Sequence, residues 1–270
     1  MANSFKKTYF LTLGAVVCAV ILRIIQINFV VDAKTGFFLS EFYGFGIAMS
    51  VTIFVFVIAA AVFSGVTIRQ IPSTVKLIPK GFAICNFIMA LAVVYESFFA
   101  QVGGSIPAWQ VLLQIVFGFL SAAVFVINGL SAFTEIKINP MANLAHVLFW
   151  LVRLIIVFSS YLSVSVISEN IFEMAALCLA LVYFLNLAKM QNDVSFAKNA
   201  GKLMPVSTAT FMLCAVYSLP QIILMLTGRE ELLHTQNVTY VTDLCLLIYV
   251  LCHTLVAFKN DNLTEKPAKH

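Results

Sequence analysis

Apolar residues run through the chain in eight stretches, at roughly 9–30, 44–67, 81–100, 109–133, 143–166, 172–188, 206–226 and 239–258, with short polar segments between them. Each is close to the about 20 residues that an α-helix needs to cross a hydrocarbon core. The runs are continuously apolar rather than alternating as barrel strands are, and open backbone hydrogen-bonding groups are not tolerated in hydrocarbon. The pattern predicts an all-α integral membrane protein of eight transmembrane helices. It is a single helical-bundle domain over residues 1–270, with a short cytoplasmic tail at 259–270. The sixth stretch is the shortest, and an earlier start at Glu169 would lengthen it. Composition sharpens this picture: 61% of residues are hydrophobic and 10% charged, with a mean hydropathy of +1.00, where soluble domains carry about 25% charged residues.

Charge gives a direction. With the N-terminus in the cytoplasm, twelve cations fall on the cytoplasmic side (Lys6, Lys7, Arg69, Lys76, Lys80, Lys137, Lys189, Lys198, Lys202, Lys259, Lys266 and Lys269), and only Lys34 and Arg229 fall outside. The positive-inside rule then predicts both termini in the cytoplasm, and the expected location is a multi-pass position in a bacterial inner membrane. The net charge of +4 is thus a topology signal and names no nucleic-acid partner. The first span follows Lys6 and Lys7 as a signal peptide would, but its length and lack of a small-residue cleavage site predict a retained anchor. The six cysteines all lie in apolar runs without metal-site spacing and are expected to be small buried hydrophobes.

A faint repeat runs along the chain. "KLIP" at 76–79, "KINP" at 137–140 and "KLMP" at 202–205 each precede a span, and Lys7, Lys76, Lys137 and Lys202 are 69, 61 and 65 residues apart. Proline just before or within a first helical turn forfeits no helical hydrogen bond. Four αα-hairpin repeats are the implied organisation, with "ILRII" at 21–25 and "LVRLI" at 151–155 relating two halves.

The same lysines act as a ruler for the few polar groups inside the spans. Arg23, Arg153, Glu173 and Asp243 each lie 16 residues from their cytoplasmic lysine, about 24 Å along a helix. Glu96, Gln26 and Gln221 lie within about a turn of that level. Intramembrane charges are costly, face the bundle interior and pair with one another. Arg23, Gln26, Glu96, Arg153, Glu173, Gln221 and Asp243 are therefore the candidate ligand-binding residues. Three readings compete: snorkelling to the outer headgroups, helix-to-helix ion pairs, and a ligand pathway. Ser159, Ser160, Ser163 and Ser165 add a polar edge to span five, and Pro220 is expected to kink span seven. His146 and His253 read as satisfied core histidines, Trp109 as an interfacial anchor, Trp150 as a packing residue and "AAAVFSG" at 59–65 as a small-residue packing surface.

No metalloprotease, nucleophile-elbow, P-loop or dinucleotide motif stands in a usable context, no lysine sits mid-span for a retinal Schiff base, and no cofactor or metal is implied. The expected function is non-enzymatic: an outward-facing polar pocket binds a small anionic or zwitterionic solute, for transport or sensing. The alternative is a structural or partner-binding membrane subunit, with another membrane protein or a second copy as partner. A membrane enzyme using Glu96 or Asp243 as acid or base ranks third.

Overall fold

The computed structural model describes residues 2–32, 35–67, 80–99, 107–134, 140–161, 167–191, 196–229 and 239–259. These form eight α-helices: α1 (Ala2–Phe29), α2 (Tyr43–Thr67), α3 (Ala83–Phe99), α4 (Ala108–Ser131), α5 (Leu144–Tyr161), α6 (Ile167–Gln191), α7 (Phe196–Leu226) and α8 (Thr239–Lys259). One-turn 3-10 segments at Ser40–Phe42, Lys80–Phe82 and Pro140–Asn143 lead into α2, α3 and α5. Six of the helices are long and apolar enough to cross a membrane, and Ala83–Phe99 and Thr239–Leu255 are shorter apolar helices. The chain is a helical, multi-pass membrane protein by architecture.

Cross-helix hydrogen bonds and ion pairs fix how the helices run. Gln26 late in α1 meets Ser50 early in α2, and Arg153 in the middle of α5 meets Glu173 early in α6 and Asp243 early in α8. At the opposite end, Asn128 late in α4 meets Asn143 just before α5, and Tyr183 late in α6 meets His253 late in α8. Successive helices are therefore antiparallel. Helix α7 is the hub and packs against α1, α2, α6 and α8. In α7, 67% of the apolar window is buried, against 28% for α2 at the periphery. Its buried hydroxyls satisfy themselves on the preceding turn, as Thr210 donates to the Val206 carbonyl and Ser218 to that of Cys214.

Several boundaries differ from the sequence expectation. Helix α1 begins at Ala2 and α7 at Phe196, because polar first turns can extend into the interface. Pro205 consequently lies inside α7 rather than at its first turn, and α7 also continues through Pro220. Gly65 of α2 lies beside the first of these prolines, where a Cβ would make ordinary van der Waals contact with the Pro205 ring at 3.4 Å; of the small-residue stretch at 59–65, Ala60 and Ser64 are buried as packing residues while Ala59, Val62 and Phe63 are exposed. Helix α6 spans 25 residues, so the sixth stretch is not short. Of the six cysteines expected to be buried only Cys214 is; Cys85, Cys245 and Cys252 are partly buried, and Cys18 and Cys178 are exposed because they sit on helix faces turned away from the core. Trp150 is fully buried, as a packing residue is, and Trp109 is exposed. The loop motifs at 76–79 and 137–139, the serines at 163 and 165, the cations at 34, 69, 76, 137, 266 and 269 and the tail at 260–270 lie outside the described residues.

Candidate functional site

Six of the seven candidate residues fall into two groups on either side of α6, and Gln221 joins neither. On one side is an ionic cluster centred on Arg153, which projects from the middle of α5. Its Nη1 and Nη2 donate to the two carboxylate oxygens of Asp243 at 2.8 and 2.7 Å, a bidentate pair of the strongest geometry available to arginine. Its Nε lies 3.0 Å from Glu96 Oε1, an ion pair too far off line to be a hydrogen bond. Glu173 Oε1 is 3.9 Å from Nη2. One guanidinium thus ties α5 to α3, α6 and α8. Arg153 also lies over the Trp150 ring, 5.1 Å from its centre, where the ring quadrupole favours a cation.

Every member of this cluster is buried, Glu96 completely so, which rules out snorkelling for Arg153. Asp243 stands one turn into α8, where the helix dipole favours a carboxylate. Beneath the cluster lies an aromatic layer in which Trp150 stacks on Phe184, and Phe184 meets Tyr249. Both histidines are buried core residues: His253 Nδ1 is hydrogen-bonded to Tyr183 at 2.7 Å, whereas His146 is satisfied only at Nδ1, by Ser121 at 2.8 Å, its buried Nε2 having no hydrogen-bond partner among the described residues. No group of three metal-ligating side chains occurs among the described residues.

The second group surrounds Arg23 in α1, which is also buried. Its Nη1 donates to Gln26 Oε1 at 2.6 Å, and Gln26 Nε2 donates to Ser50 Oγ at 2.7 Å and to the Gly46 carbonyl at 2.8 Å. Ser50 Oγ in turn donates to Gly46 O at 3.1 Å. Arg23 therefore starts a chain of hydrogen bonds in which every link donates toward α2. Its guanidinium lies over the Phe172 ring, 4.7 Å from the centre. Adjacent residues of α6 thus serve the two arginines, Phe172 touching Arg23 and Glu173 touching Arg153. Gln221 is buried in α7 with its Oε1 accepting no hydrogen bond, and none joins it to either group among the described residues.

The hydrogen-bond chain ends at a cavity of about 410 Å³. Its wall is formed by Phe37 and Phe38, by Tyr43, Ile47, Ser50, Val51 and Phe54 of α2, and by Ile171 and Phe172 of α6. Volume and wall match small-molecule sites, which run about 300–1,000 Å³ and are mostly apolar with a few placed polar groups. Phe54 stacks on Phe172, 5.0 Å apart and 10° from parallel. Phe37 and Phe38 are held against the cavity by a short hairpin. Asp32 N–H donates to the Phe37 carbonyl and Leu39 N–H to that of Val30, with Gly36 at φ 71°, a left-handed value suited to glycine. Gly46 is required beside this wall, since a Cβ there would sit 2.8 Å from the Phe38 ring.

Sequence reasoning did not find Ser50, Gly46, Phe172 or the phenylalanines at 37, 38 and 54. Their one visible signal was the spacing of Tyr43, Ile47 and Val51, a one-face helical stripe that reads equally as lipid-facing surface. No protein-family model matches the chain, and no curated protein or solved structure matches it.

Proposed function

We propose that this protein is an eight-span membrane protein that binds a small amphipathic solute with an anionic or zwitterionic head, for transport or sensing, in the cavity between α2 and α6. The directional chain Arg23–Gln26–Ser50 carries the reading. A guanidinium polarises the amide, the amide donates to the hydroxyl, and such chains strengthen cooperatively. The Ser50 hydroxyl needs only to rotate from the Gly46 carbonyl to donate into the cavity. A site that offers a donor backed by a buried cation selects an acceptor, and the four phenylalanines select an apolar body. The cavity lies at the C-terminal end of α1 and the N-terminal ends of α2 and α6; with both termini cytoplasmic, this is the outer half of the membrane.

The eight-span count rests on the antiparallel order and on α3 and α8 being predominantly apolar, with their carboxylates Glu96 and Asp243 turned into the bundle. With the 3-10 turn before it, α3 extends from Lys80 to Phe99, close to the about 20 residues of a span. The pairings of α1 with α2, α3 with α4, α5 with α6 and α7 with α8 support a reading as four αα-hairpins, in which Arg23 and Arg153 each follow a cytoplasmic lysine by 16 residues. The structural alternative applies to the Arg153 side alone, where the guanidinium is taken up by carboxylates and four helices are pinned by one side chain. In that division of labour one arginine holds the bundle and the other primes the site.

The test is binding of a long-chain carboxylate and of the alcohol of equal length to the purified protein in lipid nanodiscs. The carboxylate should bind more tightly, and Ser50→Ala should reduce that preference about tenfold or more, since a hydrogen bond to a charged group contributes about 1.5–3 kcal/mol. An equal preference in the wild type and in Ser50→Ala contradicts the proposal.

A further inference from the structure

The ionic cluster around Arg153 holds more negative than positive charge, and this has a chemical consequence independent of the solute cavity. Asp243 engages both terminal nitrogens of the guanidinium and so neutralises it alone. Glu96 is the second carboxylate on the same cation and is fully buried; Arg153 Nε, 3.0 Å away, is off line for a hydrogen bond, and the nearby Thr242 hydroxyl donates to the Ala92 carbonyl, so the carboxyl lacks the donors an ionised form calls for. An ionised carboxylate presents about four acceptor sites, and an uncompensated buried charge neutralises itself rather than persisting. Two carboxylates sharing one site do not both ionise readily.

We infer that Glu96 is an intramembrane proton-binding site, its carboxyl carrying a proton while Asp243 holds Arg153. The groups facing it are Arg153 from α5, Asp243 from α8 and Glu173 from α6, and α4, the other helix packed on α3, has no titratable residue in its sequence. A metal cation is the less suited neutraliser, because the guanidinium already occupies the point toward which the carboxylates converge. Loss of the proton leaves Glu96 and Asp243 competing for a single guanidinium, so that proton occupancy is linked mechanically to how α3 and α8 are held by α5. The solute reading gains from this a coupling ion, but the site stands without it.

Infrared spectroscopy of the protein in nanodiscs at neutral pH tests the assignment. The wild type should show a carboxylic-acid carbonyl band that shifts in D2O, disappears in Glu96→Gln and persists in Glu173→Gln and in the cavity-filling Ser50→Leu. Glu96→Gln should keep a melting temperature within a few degrees of wild type, because the glutamine replaces a neutral group. Absence of the band from the wild type overturns the inference whether or not any variant folds. So does a band that survives in Glu96→Gln, that is lost in Asp243→Asn while Glu96→Gln retains it, or that appears only when sodium is withheld.

Discussion

Arginine at the centre of a membrane helix is tolerable only when its charge and its donors are taken up, and the two arginines here achieve this by different routes. Arg153 uses carboxylates on three other helices; Arg23 uses an amide, an aromatic face and the helix α2 beyond them. Removing Arg153 leaves Asp243 and Glu96 buried together without their cation, and breaking a buried pair in this way costs about 3–5 kcal/mol. Arg153→Met should therefore lower stability by about that amount, and Arg153→Met/Asp243→Leu should recover most of it by removing the orphaned charge as well. Thermal unfolding in one detergent measures both, and a double variant no more stable than the single would show that the pair is not the source of the loss. The depth of these residues was legible in the sequence because distance along a helix is linear in residue number, so that counting from Lys137, Lys189 and Lys259 placed Arg153, Glu173 and Asp243 at one level. The facing direction was not legible. Arg23 shares the count but meets Gln26, and through it Ser50, since α1 packs on α2 and α7 while α5 packs on α4 and α6, and neighbour order is not written in any local pattern.

At the scale of elements, close approach depends on a few positions without a side chain. In α2, Gly46 gives up its Cβ to the Phe38 ring, whereas Gly44, two residues away, has open space around it. Gly46→Ala should push Phe38 off the cavity wall and disturb the Gln26 bond to the Gly46 carbonyl, an overpacking cost of about 1–3 kcal/mol. Gly44→Ala should be close to neutral in both stability and probe binding. Equal effects of the two substitutions would remove the hairpin at Phe37 and Phe38 from the site. The helices themselves were readable from apolar run length, because eight continuous runs admit little else in a bilayer. Their ends were not, since the polar first turns of α1 and α7 carry no apolar signal and Pro205 looked like a boundary. The inward face of each helix was equally hidden: in α2 the stripe of Tyr43, Ile47 and Val51 lines a cavity and yet has the composition of a lipid-facing surface.

The whole molecule divides into a consolidated half and an open one. Helices α3, α5, α6 and α8 meet around one guanidinium with aromatic packing beneath it, and α7 fills the centre. Helix α2 stands at the edge, touching α1 and α7 on one side and leaving a gap toward α6 on the other. The cavity lies in this gap, separated from the ionic core by α6, whose adjacent Phe172 and Glu173 face one each. The central claim, that this gap is a solute site and not general lipid-facing surface, is tested most directly by photolabelling the protein in nanodiscs with a diazirine-bearing long-chain carboxylate and locating the adducts by peptide mass spectrometry. The account predicts saturable labelling concentrated in Phe37–Phe54 and at Ile171 and Phe172, displaced by unlabelled carboxylate. Unsaturable labelling spread evenly over exposed residues such as Leu91, Leu112 and Phe158 would contradict it.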